Sequence, residues 1–150
     1  MIALGSDHVG KPLKDAVRAY LEKKGVVCRD YGWDGDESVP RDYPIYALRA
    51  ANAVADGTCE KGLLFCGTGI GISIAANKVR GIRAGLAYNT VMARLTREHN
   101  NANVLSLGGR MQSLEDALDM AKVFLGTPFS EDPRHVRRIE MLDAYEARDH

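Results

Sequence analysis

Leu63-Leu64-Phe65-Cys66-Gly67-Thr68-Gly69-Ile70-Gly71-Ile72-Ser73 is an apolar run that breaks into three alternate glycines. The run reads as a buried strand, and the glycines as a tight turn into a helix. Reading outward from it, short apolar runs alternate with segments of helical period. Upstream, Ile2-Ala3-Leu4 is a strand. A helix follows, with Pro12 at its first turn, Leu13, Val17, Tyr20 and Leu21 on one face, and Gly25 as its stop. Val26-Val27-Cys28 is a second strand, and 32–41 is a loop rich in Gly, Asp, Ser and Pro. Pro44 opens a helix whose inward face is expected to hold Leu48, Ala51 and Ala55. Downstream come a short helix over Ile74 to Lys78, a strand over Ile82 to Ala87 and a helix over Val91 to Glu98. A strand follows at Val104 to Leu107, then a helix opened by Ser113 in a capping-box pattern, with Leu118, Ala121 and Leu125 inward. The last helix runs from Pro133 to about Ala147, and terminal His150 is expected to lack fixed structure. The expected fold is α/β: one Rossmann-like three-layer domain over 1–150, with a five-stranded parallel sheet and a C-terminal helix.

In such sheets, ligands bind beyond the carboxyl ends of the strands. Four places qualify: Ser6-Asp7-His8, Cys66 to Gly71, Tyr88-Asn89, and Gly108-Gly109-Arg110. In the glycine loop, successive N–H groups can hold an anion. A phosphate-binding P-loop would need Lys-Ser/Thr after its last glycine, where Ile72-Ser73 stands. The dinucleotide fingerprint fails too, because the sixth position from Gly67 is Ile72 and from Gly69 is Ile74. What remains is a set of amides and one hydroxyl, Thr68, around one thiol, which suits an oxyanion site. A thiol among such amides carries more thiolate than a free one, so Cys66 is a candidate nucleophile or general base. A buried, inert cysteine is the alternative.

Other residues allow two readings each. Asp7-His8 is a ligand contact or a hydrogen-bonded turn. His99, at a helix end before Asn100, is a C-terminal cap or an acid–base group. Arg134 and Arg138 share a helix face. They are solvated cations or a clamp for an external dianion such as phosphate, whereas Arg137 projects elsewhere. Twenty Lys and Arg balance twenty Asp and Glu. That balance argues against a general nucleic-acid or membrane binder. No apolar stretch reaches the length of a membrane span. The start carries no secretory pattern, and three cysteines do not make a disulfide framework, so a cytoplasmic protein with free thiols is expected. No spacing of Cys or His suggests zinc.

Taken together, the segments resemble the type B ribose-5-phosphate isomerases and galactose-6-phosphate isomerase subunits. The signature is Cys66-Gly67-Thr68-Gly69-Ile70-Gly71-Ile72-Ser73-Ile74-Ala75-Ala76-Asn77-Lys78. Gly5-Ser6-Asp7-His8-Val9-Gly10, Asp42-Tyr43-Pro44, Arg97-Glu98-His99-Asn100 and Arg134-His135 with Arg138 keep the same order. The resemblance implies an aldose–ketose isomerase of a sugar phosphate that works through an enediolate without metal, nucleotide or other cofactor. It implies a homodimer, possibly a tetramer, with the site between subunits. By similarity Cys66 is the base, and Thr68 with the amides of Gly67, Gly69, Ile70 and Gly71 steadies the enediolate oxygen. His99, with Asp7, opens the sugar ring. His8, Arg134 and Arg138 hold phosphate, with Arg110 and Asn100 nearby and Tyr43 touching substrate. Some relatives carry a glutamate base at the position of Ile72, which cannot serve here. The segment Trp33 to Arg41 and Ser130-Glu131-Asp132 depart from the family pattern. They leave open whether the sugar is ribose 5-phosphate or an allose, galactose or erythrose phosphate. A sugar-phosphate sensor without turnover is the alternative from another class.

Overall fold

A computed structural model describes residues 1–148; Asp149 and His150 lie outside the described residues. The strands are β1 (Ile2–Ser6), β2 (Cys28–Asp30), β3 (Lys61–Cys66), β4 (Ala84–Leu86) and β5 (Val104–Gly108). The helices are α1 (Lys11–Lys23), α2 (Tyr43–Ala55), α3 (Ile70–Ala76), α4 (Thr90–Asn100), α5 (Leu114–Gly126) and α6 (Pro133–Ala147). All strand pairs are parallel, in the order β2-β1-β3-β5-β4.

Strands buried on both faces need apolar side chains in both directions, and β1, β3 and β5 supply them. Leu4, Leu63, Phe65, Leu105 and Leu107 pack on one face against Val17 of α1, Ala93 of α4, and Met120 and Phe124 of α5. Ala3, Leu64, Cys66 and Val104 face the other way, onto Ala47, Ala50 and Ala51 of α2 and Ile72 and Ala76 of α3. This is the three-layer arrangement expected from the sequence. α6 stands outside the layers and touches chiefly α4.

From β1 the sheet extends to β2 on one side and to β3 on the other. The crevice between the ends of β1 and β3 is therefore the topological switch point. The register sets Ser6 level with Phe65, and Cys66 level with Gly108. Three loops thus rise from one rim.

Several elements differ from expectation in detail. β2 starts at Cys28, because Val26 and Val27 are used in leaving α1: the Val26 amide donates to the Leu21 carbonyl. α3 begins at Ile70, inside the glycine loop, rather than at Ile74. In α2 the buried residues are Tyr46, Ala47, Ala50, Ala51, Ala53 and Val54, whereas Leu48 and Ala55 are exposed. In α5 the buried face is Ala117, Met120, Ala121 and Phe124, with Leu118 and Leu125 only half-buried. Cys28 is half-buried, not part of the deep core.

Candidate active site

β3 delivers Cys66 to the rim on the α2 and α3 side, 4% exposed. The chain then reverses at Gly69, where φ is +81 and a Cβ would stand 2.7 Å from the Leu86 side chain. Only glycine fits that turn. It swings the Gly69 amide back, and this N–H donates to the Cys66 sulfur at 3.1 Å. The Ile70 amide donates to the Thr68 hydroxyl at 3.1 Å. Among the described residues, the amides of Gly67, Thr68 and Gly71 make no hydrogen bond, so they are available to a substrate oxygen. Ile72 is fully buried in the core below and offers nothing to the rim.

Neighbouring elements close around this loop. The Arg110 amide donates to the Gly67 carbonyl at 2.9 Å, and its guanidinium lies 3.4 Å from where a Gly67 Cβ would be. Tyr43, at the start of α2, lays its ring over Gly71, within 2.7 Å of a Cβ built there. The Tyr88 hydroxyl donates to the Thr68 carbonyl at 2.9 Å. Across the switch point stands the turn after β1. There Asp7 is buried and accepts from the Gly10 amide at 2.8 Å, while His8 is exposed. Cys66, Thr68, Gly67 to Gly71, Asp7, His8, Tyr43 and Arg110 therefore share one end of the sheet. Tyr88 was flagged by its strand-end position, but its hold on the loop is a tertiary contact with no sequence signal.

His99, Asn100, Arg134 and Arg138 lie at the other end. α4 starts beyond the carboxyl end of β4 and runs back toward the first residue of β5. Its last carbonyl, that of Asn100, accepts from the Arg83 guanidinium at 2.9 Å, at the entry to β4. β3 alone has six residues, which at about 3.3 Å each hold the two ends roughly 16 Å apart. One chain does not bring His99 to Cys66.

This second cluster has its own order. The His99 and His135 rings pack against each other at a tilt of 35°, with centroids 4.2 Å apart, and His135 Nδ1 shares a hydrogen bond of 3.0 Å with Ser130. Buried Arg97 donates to the carbonyls of Thr127 and Ala102, and so ties α4 to the segment before α6. Asp132 caps α6 by accepting from the Arg134 amide and pairs with its guanidinium at 3.1 Å. Hydrogen bonds from the Arg134 side chain and amide pull the Asp132 carboxyl down to about 2. Arg138 is exposed one turn further along.

In the 32–41 loop, Trp33 stands against His8 of the first cluster. With α2 the loop walls a cleft of about 530 Å³ lined by Asp30, Asp34, Asp36, Tyr46 and Arg49 among others. Among the described residues, no three His, Cys, Asp or Glu side chains gather as a metal-ion site. No helix there is long and apolar enough to cross a membrane.

A buried thiol under a ring of amides, with cations on a second cluster, fits proton abstraction from a phosphorylated small molecule. Comparison with known proteins shows relatives that isomerise sugar phosphates. The ribose-5-phosphate isomerase B of Escherichia coli is 45% identical over 148 residues, covering 98% of this chain and 97% of that protein. A D-erythrulose-4-phosphate isomerase of Pectobacterium atrosepticum is 39% identical over 145 residues, covering 97% and 94%. The structure of ribose-5-phosphate isomerase B from Clostridium thermocellum superposes with a TM-score of 0.92 at 47% identity, covering 97% and 96% of the two chains. Because a family model described as Ribose/Galactose Isomerase also matches residues 2–142, this chain belongs to that family of isomerases.

Proposed function

We propose that this isomerase interconverts ribose 5-phosphate and ribulose 5-phosphate, with Cys66 as the base. The observation that carries the reading is the 3.1 Å hydrogen bond from the Gly69 amide to the Cys66 sulfur. It aims the sulfur into the loop whose Gly67, Thr68 and Gly71 amides are free. Cys66 takes the proton from C2 of the open-chain aldose and returns it to C1 of the enediolate, while the O2 hydroxyl loses its proton and O1 gains one, which leaves the carbonyl at C2. Meanwhile the oxygen that gains charge is met by the Thr68 hydroxyl and the amides of Gly67 and Gly71. His8 and Arg110 lie on the same rim and are suited to an anionic group. A phosphate favours Arg because a guanidinium can present two parallel N–H donors.

The acting unit in this reading is a homodimer in which the whole chain serves as one domain. Each site joins the Cys66 rim of one subunit to His99, Asn100, Arg134 and Arg138 of the other. Support comes from the separation of the two clusters within one chain. A patch beside the loop points the same way: Leu48, Ile70 and Ile74 are 39%, 47% and 57% exposed, and Leu48 and Ile74 with Tyr43 and Pro44 line an apolar hollow of about 290 Å³. In the assembled site His99, with Asp7, opens the furanose ring. The Asp132 carboxylate gives up part of Arg134 to the incoming dianion. Three free cysteines fit a reducing cytoplasm, and the donor set calls for no cofactor.

The relative that acts on a four-carbon sugar favours a second substrate reading, an erythrose or erythrulose phosphate. A turnover panel over four-, five- and six-carbon sugar phosphates separates the two. Cys66→Ala should lower kcat by at least about a thousandfold while sugar-phosphate binding stays measurable. Exchange of the substrate C2 hydrogen with deuterated solvent at the wild-type rate in that variant would remove Cys66 from the role.

A further inference from the structure

Lys14 is among the large, fully buried side chains of the described residues and has no part in the chemistry above. An ammonium in an apolar layer is costly unless its hydrogen bonds are met. Here it donates to the Asp30 carboxylate at 2.9 Å and to the Trp33 carbonyl at 2.8 Å. Asp30 also accepts from the Gly32 amide at 2.8 Å. The Trp33 amide donates to the Ser6 carbonyl at 2.6 Å, so the segment after β2 is sewn to the last residue of β1. The indole N–H donates to the Asp36 carbonyl at 3.0 Å. With its backbone held at both groups and its ring tied at the far end, Trp33 is 6% exposed and has little freedom. Its ring meets the His8 imidazole edge to face, with centroids 6.5 Å apart and planes at 84°.

We propose that Trp33, fixed from beneath by the Lys14–Asp30 pair, is a positioning residue for His8 and thereby sets affinity for the substrate's phosphate. The inference rests on the reading of His8 as a phosphate contact. An exposed histidine next to no fixed surface samples several rotamers, and binding must select one. The indole edge restricts that choice before substrate arrives. The interior cation holds Trp33 at the level of β1, where His8 leaves the sheet. An apolar residue at position 14 would fill the space yet leave the Trp33 carbonyl without this donor and Asp30 without its buried cation.

Kinetics with ribose 5-phosphate on the full-length protein test this. An aromatic pair of this geometry corresponds to a factor of about two to ten. Trp33→Leu should raise KM by that factor and leave kcat within about twofold. Trp33→Phe, which keeps an aromatic edge, should restore most of the loss. In a His8→Ala background the further change Trp33→Leu should have no additional effect on KM. An equal KM rise in both backgrounds would overturn the positioning role, whereas an unchanged KM in His8→Ala alone would overturn the phosphate reading and the inference with it. Trp33 is the single tryptophan of the chain, which gives a readout independent of whether Trp33→Leu folds. Titrating wild-type protein with inorganic phosphate should change its emission, and His8→Ala should abolish that change. Emission that ignores phosphate in wild type, or responds equally in His8→Ala, would also overturn the proposal.

Discussion

A lysine in the core shows how a single residue is tuned by what surrounds it. Burial pulls the Lys14 ammonium below its ordinary range, with the hydrogen bond and charge of Asp30 acting in the opposite direction. The sign of the linkage follows. Between the lowered folded value and the ordinary 10.5, the unfolded chain binds the proton more tightly than the folded one. The contribution of Lys14 to stability therefore rises with pH across that window. Urea unfolding of wild type and Lys14→Met at pH 7 and at pH 10 should show the difference moving in favour of wild type at the higher pH. A difference that is flat or moves the other way would contradict the assignment. The sequence made Cys66 legible because a strand ending in a thiol and three glycines is unusual. It left Lys14 silent, since a lysine in the first turns of an amphipathic helix ordinarily reads as solvated. Nothing local tells that β2 and the turn after it bring a carboxylate and a carbonyl to its tip.

The elements were legible where their ends are marked and less so where packing alone decides. Caps are the clearest case. The Ser113 hydroxyl accepts from the Asp116 amide at 3.1 Å and satisfies one free donor of α5, as the sequence pattern requires. Ser113→Ala should cost about 1 kcal/mol and lower the melting temperature by about 2–4 °C. Differential scanning calorimetry would check this. The inward face of α2 was not legible in the same way. Its run Tyr43-Pro44-Ile45-Tyr46-Ala47-Leu48 is apolar nearly all round, so period alone cannot choose a face. The sheet selects the alanines, which allow close approach, and turns Leu48 outward. The start of α3 was hidden for a different reason. Glycines argue against helix on propensity, yet Gly71 sits within α3 because the Tyr43 ring occupies the space a side chain would need.

At the scale of the molecule, the sheet order converts a linear list of candidate site residues into two groups. Asp7, Cys66 and Arg110 are far apart in sequence and meet because β1, β3 and β5 are adjacent and level. His99 is nearer to Arg110 in sequence than Cys66 is, yet the return path of α4 carries it to the opposite end. A sequence carries this information only through topology, and topology is fixed by pairings between distant strands.

That division has a genetic consequence. Suppose one copy of the chain carries Cys66→Ala and another carries His99→Asn, each inactive alone. With sites shared between subunits as proposed above, one site of the mixed dimer would receive both lesions, and the other an intact cysteine from one subunit and an intact histidine from the other. Two dead proteins, unfolded together and refolded as an equal mixture, should regain about a quarter of wild-type activity, since half of the dimers are mixed and each has one sound site. No recovery would show that each chain works from its own residues. With recovery, two defective alleles in one cell would complement each other, and a defect in either cluster would be partly masked by a partner defective in the other.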